Sequence, residues 1–87
     1  MILMLCRHKV TDFARWKQVF DSHAAAQRGA GLRVEHVLRN FDDPNEVFLL
    51  FEVTDVEKAR AFVSSPSLPE VMKVAGVVDK PDISFLS

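Results

Sequence analysis

Three histidines, His8, His23 and His36, are the side chains most ready to exchange protons near neutral pH. His8 ends an alternating segment and follows the single cysteine, Cys6, by two positions. His36 lies in a second alternating segment, which closes on Asn40. Trp16, Phe20 and His23 recur at four- and three-residue spacing, which puts them on one face of a helix. An imidazole beside an aromatic wall is suited to proton abstraction. A phenolic or enolic substrate stacks on Trp16 and Phe20, gives a proton to the imidazole, and leaves a carbanion that reacts with oxygen. His8 and His36 are therefore the candidate catalytic bases, and Trp16, Phe20, His23 and Asn40 the candidate ligand-binding residues. The plainer alternative is structural. His8 closes one end of a sheet, His23 bonds a backbone carbonyl, and Trp16 and Phe20 are ordinary core.

Other chemistries find less to work with. Cys6-x-His8 offers two soft ligands on one strand face, but a metal site needs a third. His36 is a strand removed, roughly 9–10 Å away at the backbone by the inter-strand spacing. No metal and no cofactor is expected. Asp42-Asp43 reads as a solvated turn. There is no Gly-rich phosphate loop, Ser/His/Asp constellation or paired-carboxylate motif. Arg7, Lys9, Arg33 and Arg39 fall on one strand face, but Phe48 is the only aromatic among them, so single-stranded RNA has no stacking platform there. Eleven Lys+Arg against twelve Asp+Glu give a net charge of −1 and no basic footprint for nucleic acid or an anionic membrane.

Residues 2–10 alternate and read as a strand. Thr11 or Asp12 can cap a helix carrying Phe13, Trp16, Phe20, Ala24 and Gln27, which Gly29 and Gly31 stop. Residues 32–41 read as a second strand, Asp42-Asp43-Pro44-Asn45 as a turn, and 46–53 as the returning strand. Thr54-x-x-Glu57 predicts a capping box and a second helix from about Asp55. Ser64-Ser65-Pro66 breaks it, Ser67-x-x-Glu70 opens a short third helix that ends at Gly76, and Asp82–Leu86 is a last strand. The order β-α-β-β-α-(α)-β predicts an α+β, ferredoxin-like βαββαβ fold: a four-stranded antiparallel sheet with helices on one face and the first and third strands central.

Eighty-seven residues make one domain, 1–87, with 48% hydrophobic residues and seven Phe for its size. Such a chain buries only about 60–65% of its unfolded surface, so the apolar surplus needs a partner. Period-two sorting puts His8, His36 and Asn40 on the helix-covered face with Met4, Cys6, Leu38 and Leu49. The other face keeps Leu3, Leu5, Val37, Phe48, Leu50 and Leu86 among its charges, more than a monomer leaves in water. A second copy covering that face, as a sheet-on-sheet homodimer, is the expected solution. At ~1.5 Å per residue, Trp16 stays near the His8 end of the first helix and His23 lies roughly 16 Å along it. His8, Trp16 and Asn40 are expected at one end of a cavity, with His36 deeper and His23 toward the other end. No apolar run approaches the ~20 residues of a membrane span, and the N-terminal MILML lacks the parts of a signal peptide, so a cytoplasmic protein is expected.

The pattern R-H-K-V-x-D-F-x-x-W-K-x-V-F-D-x-H at 7–23, with D-P-N-E-V at 43–47 and S-P-x-L-x-E-x-M-K-x-A-G-V at 65–77, resembles the dimeric α/β-barrel superfamily. Within it, the chain is similar to the small antibiotic-biosynthesis-monooxygenase-like (ABM-like) proteins over nearly its whole length. The resemblance implies a homodimer with a ligand cavity between sheet and helices. It implies a small-molecule-binding protein, with cofactor-independent oxygenation of an aromatic or polyketide-like substrate as the leading activity. The alternatives are a non-catalytic ligand-binding or stress-related dimer, and a histidine-based isomerase or lyase. Haem-degrading relatives use Asn, Trp and His, but their order and placement differ from those of Asn40, Trp16 and the histidines here. The absence of Tyr removes one common acid and anchor.

Overall fold

The first strand, β1 (Ile2–Lys9), sends Met4, Cys6 and His8 into the interior, where each is buried, and turns Leu3, Leu5, Arg7 and Lys9 the other way. The computed structural model describes residues 1–87. Asp12 ends the turn after β1 and caps α1 (Phe13–Ser22), accepting from the backbone N–H of Ala14 at 2.9 Å and of Arg15 at 3.4 Å. Trp16 is the buried residue of that helix.

The single helix expected over Phe13–Gln27 is divided at His23, where α2 (Ala24–Gly29) begins. The cause is local. Val19 O accepts from Ser22 Oγ at 2.6 Å and from His23 Nδ1 at 2.9 Å, while the His23 N–H bonds Phe20 O. Side chains have taken the carbonyl that the helical N–H would use, which bends the helix. Gln27 N–H still bonds His23 O, so His23 and Gln27 remain one turn apart.

Two strands and their hairpin follow, β2 (Leu32–Arg39) and β3 (Glu46–Val53), then α3 (Val56–Val63), α4 (Leu68–Val74) and β4 (Asp82–Leu86). The sheet is antiparallel in the order β2-β3-β1-β4, which is the expected ferredoxin-like arrangement with β1 and β3 central. The α3 cap is Asp55, which accepts from Lys58 N–H at 3.1 Å, and not the expected Thr54. The Thr54 hydroxyl instead donates to Gly31 O at 3.2 Å, tying the start of β2 to the end of β3. Gly31 has φ +74°, and a Cβ there would lie 3.0 Å from both Cβ and N of Asp55. Ser67 precedes α4 without a side-chain cap and shares a 2.9 Å hydrogen bond with Ser65 Oγ.

The second strand departs from simple alternation. Val34 pairs Phe51 but His36 pairs Leu50, so Glu35 is an extra residue in a β-bulge. Every side chain after it changes face. Val37, expected on the open face, pairs buried Leu49 and packs against the core. Arg39 turns to the helix side of the sheet and stays exposed, its guanidinium 4.3 Å from the centre of the Phe13 ring. His36 and Leu38, expected beneath the helices, lie on the open face and are exposed. Asn40 follows them, donating from Nδ2 to Glu46 Oε1 at 2.7 Å.

Between sheet and helices, Met4, Cys6, Val10, Trp16, Leu32, Val47, Leu49, Phe51 and Val53 form one buried cluster, joined by Ala59 of α3 and Ala75 just after α4. The opposite face of the sheet is open. Leu5, Leu38 and Leu86 are exposed there at 36%, 57% and 43%, with Leu3, Phe48 and Leu50 half-buried. Arg7 crosses it, 2.7 Å from Glu46 and 2.8 Å from Asp79. These contacts hold the Arg7 guanidinium above its ordinary pKa, the Glu46 hydrogen bond contributing most. Glu46 is held below the usual carboxylate range, first by the Asn40 amide and then by Arg7.

Candidate functional site

A cavity of about 360 Å³ lies between the inner face of the sheet and the helices. Seventeen of its 22 lining residues are hydrophobic, and the polar ones are His8, His23, Gln27, Ser65 and Ser67. No Asp, Glu, Lys or Arg lines it.

His8 reaches the cavity because β1 alternates without interruption from Met4. Its side chain is 3% exposed. Nδ1 lies 3.7 Å from Cys6 Sγ, and Nε2 is the one buried side-chain nitrogen or oxygen of the chain with no hydrogen-bond partner. Burial pushes the His8 pKa below 6.5, Arg7 adds to the effect, and Asp79 opposes it. The ring is therefore neutral at pH 7. Burial also pushes the Cys6 thiol up to about 12, so it stays protonated and unreactive. The Cys6 contact admits either donor: with Nδ1–H directed at Sγ, Nε2 carries a lone pair and can act as a base, and with the thiol S–H directed at Nδ1, Nε2 carries the proton.

The aromatic wall stands beside it. The His8 ring meets Trp16 edge-on, with centroids 5.5 Å apart and planes at 64°. Trp16 stacks on Phe20 at 4.9 Å and 22°, and Phe20 leans on Phe51 at 6.3 Å. The rings are presented from α1 at positions i and i+4, the spacing that puts two side chains on one helix face. His23 also lines the cavity. Its Nδ1 bonds a carbonyl, which can only accept, so in the neutral ring the proton is on Nδ1 and Nε2 is an acceptor.

His8, Trp16, Phe20 and His23 thus converge on one cavity, whereas His36 and Asn40 do not. The bulge at Glu35 carries His36 to the open face, and Asn40 is engaged with Glu46 and with Asp42 N–H at 2.8 Å. Cys6 and His8 adjoin, but no group of three or more His, Cys, Asp or Glu side chains is placed to hold a metal ion. Gln27, Ser65 and Ser67 also line the cavity, and residue type and spacing do not mark the two serines as site residues. For Gln27 a signal is present, since it continues the helical stripe Phe13, Trp16, Phe20, Ala24 as a polar residue one turn beyond His23.

The four-stranded antiparallel sheet with helices on one face is ABM-like in fold, as solved structures of proteins described as antibiotic biosynthesis monooxygenases show. The chain is similar to a candidate antibiotic biosynthesis monooxygenase from Bordetella bronchiseptica, with TM-score 0.78 and 16% identity over 99% of this chain and 94% of that one. It is similar to SnoaB, a cofactor-independent oxygenase from Streptomyces nogalater, with TM-score 0.73 and 19% identity over 99% and 90% of the two chains. A conserved protein from Methanosarcina mazei Go1 shares the fold at TM-score 0.71 and 13% identity, over 98% and 89%. No protein-family profile and no curated protein matches the chain. No helix is long and apolar enough to cross a membrane.

Proposed function

We propose that the protein binds an aromatic, polyketide-like small molecule in this cavity and oxygenates it without a cofactor, His8 serving as the base. The observation that carries the reading is that His8, 3% exposed and part of the lining of an apolar cavity, has an Nε2 without a hydrogen-bond partner. A buried polar atom without a partner costs folding free energy, about 1–3 kcal/mol, and such atoms persist where a ligand completes them. The flat substrate lies against Trp16 and Phe20. Nε2 takes a proton from an activated methylene, and the carbanion, shielded from water, gives its electrons to dioxygen. Loss of water from the resulting hydroperoxide leaves a ketone, so that CH2 and O2 become C=O and H2O. His23 accepts a hydrogen bond from a substrate hydroxyl through Nε2. The likeness in fold to SnoaB supports the oxygenase reading over proton transfer alone.

The working form is a homodimer, with the open faces of two sheets packed together. The apolar side chains on that face, Leu5, Leu38 and Leu86 among them, support it. A protein whose only cysteine is a buried thiol suits the reducing cytoplasm.

Oxygen uptake with an anthrone substrate tests the activity. Wild type should consume oxygen and form the quinone, and His8→Ala should lose at least a hundredfold of the rate while remaining folded. Solvent deuterium entering the substrate without oxygen uptake would instead establish a histidine-based isomerase. Saturable binding with neither reaction would establish a binding protein.

A further inference from the structure

Gln27 is 7% exposed, and its carboxamide takes no part in the side-chain hydrogen bonds of the chain. A primary amide brings two donors and an acceptor, and since His8 Nε2 is the one fully buried side-chain nitrogen or oxygen without a partner, the unpaired Gln27 amide keeps accessible surface. Here it faces the cavity, one helical turn from His23, whose Nε2 is an acceptor. This pair is far from His8. Gln27 precedes β2 by way of Ala30 and Gly31, at the end of the sheet where Leu32 pairs Val53 and Val53 pairs Ile2. His8 is four to six residues further along β1 from Met4 and Ile2, roughly 13–20 Å at ~3.4 Å per residue. Between the two ends, Met4, Phe20, Leu49 and Phe51 supply apolar wall.

The geometry points to Gln27 as a specificity-determining residue that binds a second polar group of the ligand, at the end remote from His8. It rests on the reading of the cavity as a ligand site. The ligand class follows: an elongated, mostly apolar, uncharged molecule with a hydrogen-bonding hydroxyl or carbonyl at each end. A carboxylate or phosphate is excluded at either end, because no cationic side chain lines the cavity to meet it. A carboxamide reads such a group by donating to a carbonyl or accepting from a hydroxyl, and a molecule lacking the group leaves Gln27 unsatisfied.

Biphenyl-4,4′-diol and biphenyl-4-ol are rigid, uncharged probes that differ only in the second hydroxyl. Titration calorimetry at pH 7.5 should find the diol bound more tightly than the mono-ol by about 3- to 10-fold beyond the twofold statistical advantage of its two equivalent ends. In Gln27→Leu the preference should fall severalfold toward the statistical factor, any remainder coming from His23 Nε2 at the same end. Gln27→Met preserves the length of the side chain, and serves if the leucine variant is poorly folded. A merely structural Gln27 would weaken both probes together and leave their ratio in place, which would overturn the second anchor while the cavity reading stands. Failure of both biphenyls to bind wild type would overturn the two readings together.

Discussion

Replacing His8 with phenylalanine should make the protein more stable. His8 Nε2 is buried without a partner, and releasing that desolvation penalty is worth about 1–3 kcal/mol. The interaction with Cys6 that the substitution removes is weak, because Sγ···Nδ1 is 3.7 Å and a thiol is a poor hydrogen-bonding group. The edge-on packing against Trp16 survives in kind, and the extra atom of the phenyl ring enters the cavity rather than a filled core. The net gain is about 1–2 kcal/mol at pH 7, or a Tm higher by roughly 5–10 °C for a domain of this size. The gain should grow in acid. His8 has a pKa below 6.5 in the folded protein, so the unfolded chain takes up its proton first as the pH falls. Wild type therefore loses stability progressively below pH 6.5, and His8→Phe lacks that loss. Melts followed by circular dichroism at equal protein concentration, at pH 7.5 and pH 5.0, measure both effects. A lower Tm for His8→Phe, or a difference that does not widen at pH 5.0, would show that Nε2 is satisfied in the folded protein.

Three further outcomes follow from the geometry. Leu38→Glu places a charge on the open face, at a position that plain alternation would have buried; it should cost several kcal/mol of association and give a monomer by light scattering at micromolar concentration, and a retained dimer would remove that face as the interface. Gly31→Ala must strain a φ of +74° and press a Cβ 3.0 Å from Asp55, so its Tm should fall by several degrees, whereas Gly29→Ala, with nothing within 4 Å, should raise it slightly. Glu46→Gln should lower the Tm at pH 7; since the Glu46 pKa is depressed, its contribution is present above the ordinary value of 4.5 and fades as the pH drops through the folded one, so the difference from wild type should shrink below pH 4.5.

The strand and helix order, the central position of β1 and β3, and the cluster of His8 with Trp16 and Phe20 were all legible in the sequence. Each rests on strong local periodicity backed by burial, since β1 and β3 have one face packed against the helices. The bulge was not legible. The run Leu32 to Leu38 is half-apolar in either register, and β2 is an edge strand with mostly exposed side chains, so little burial constrains its pleat. That single extra residue moved His36 and Asn40 out of the site and exchanged Val37 for Leu38 on the open face. Gln27 was visible as a position on the apolar stripe of the first helix but not as a ligand-facing amide. The cavity it lines is completed by Leu32, Phe51 and residues of α3 and α4, which local spacing does not relate to it.

The central claim is that His8 Nε2 is a neutral acceptor awaiting a ligand, and the histidine 15N–1H spectrum of the labelled protein at pH 7 tests it directly. His8 should appear neutral, protonated on Nδ1, with an Nε2 resonance that shifts when biphenyl-4,4′-diol, which has a hydroxyl for each end of the cavity, is added while the His36 signals stay in place. A protonated His8, or an Nε2 that does not move as the probe saturates the protein, would contradict it.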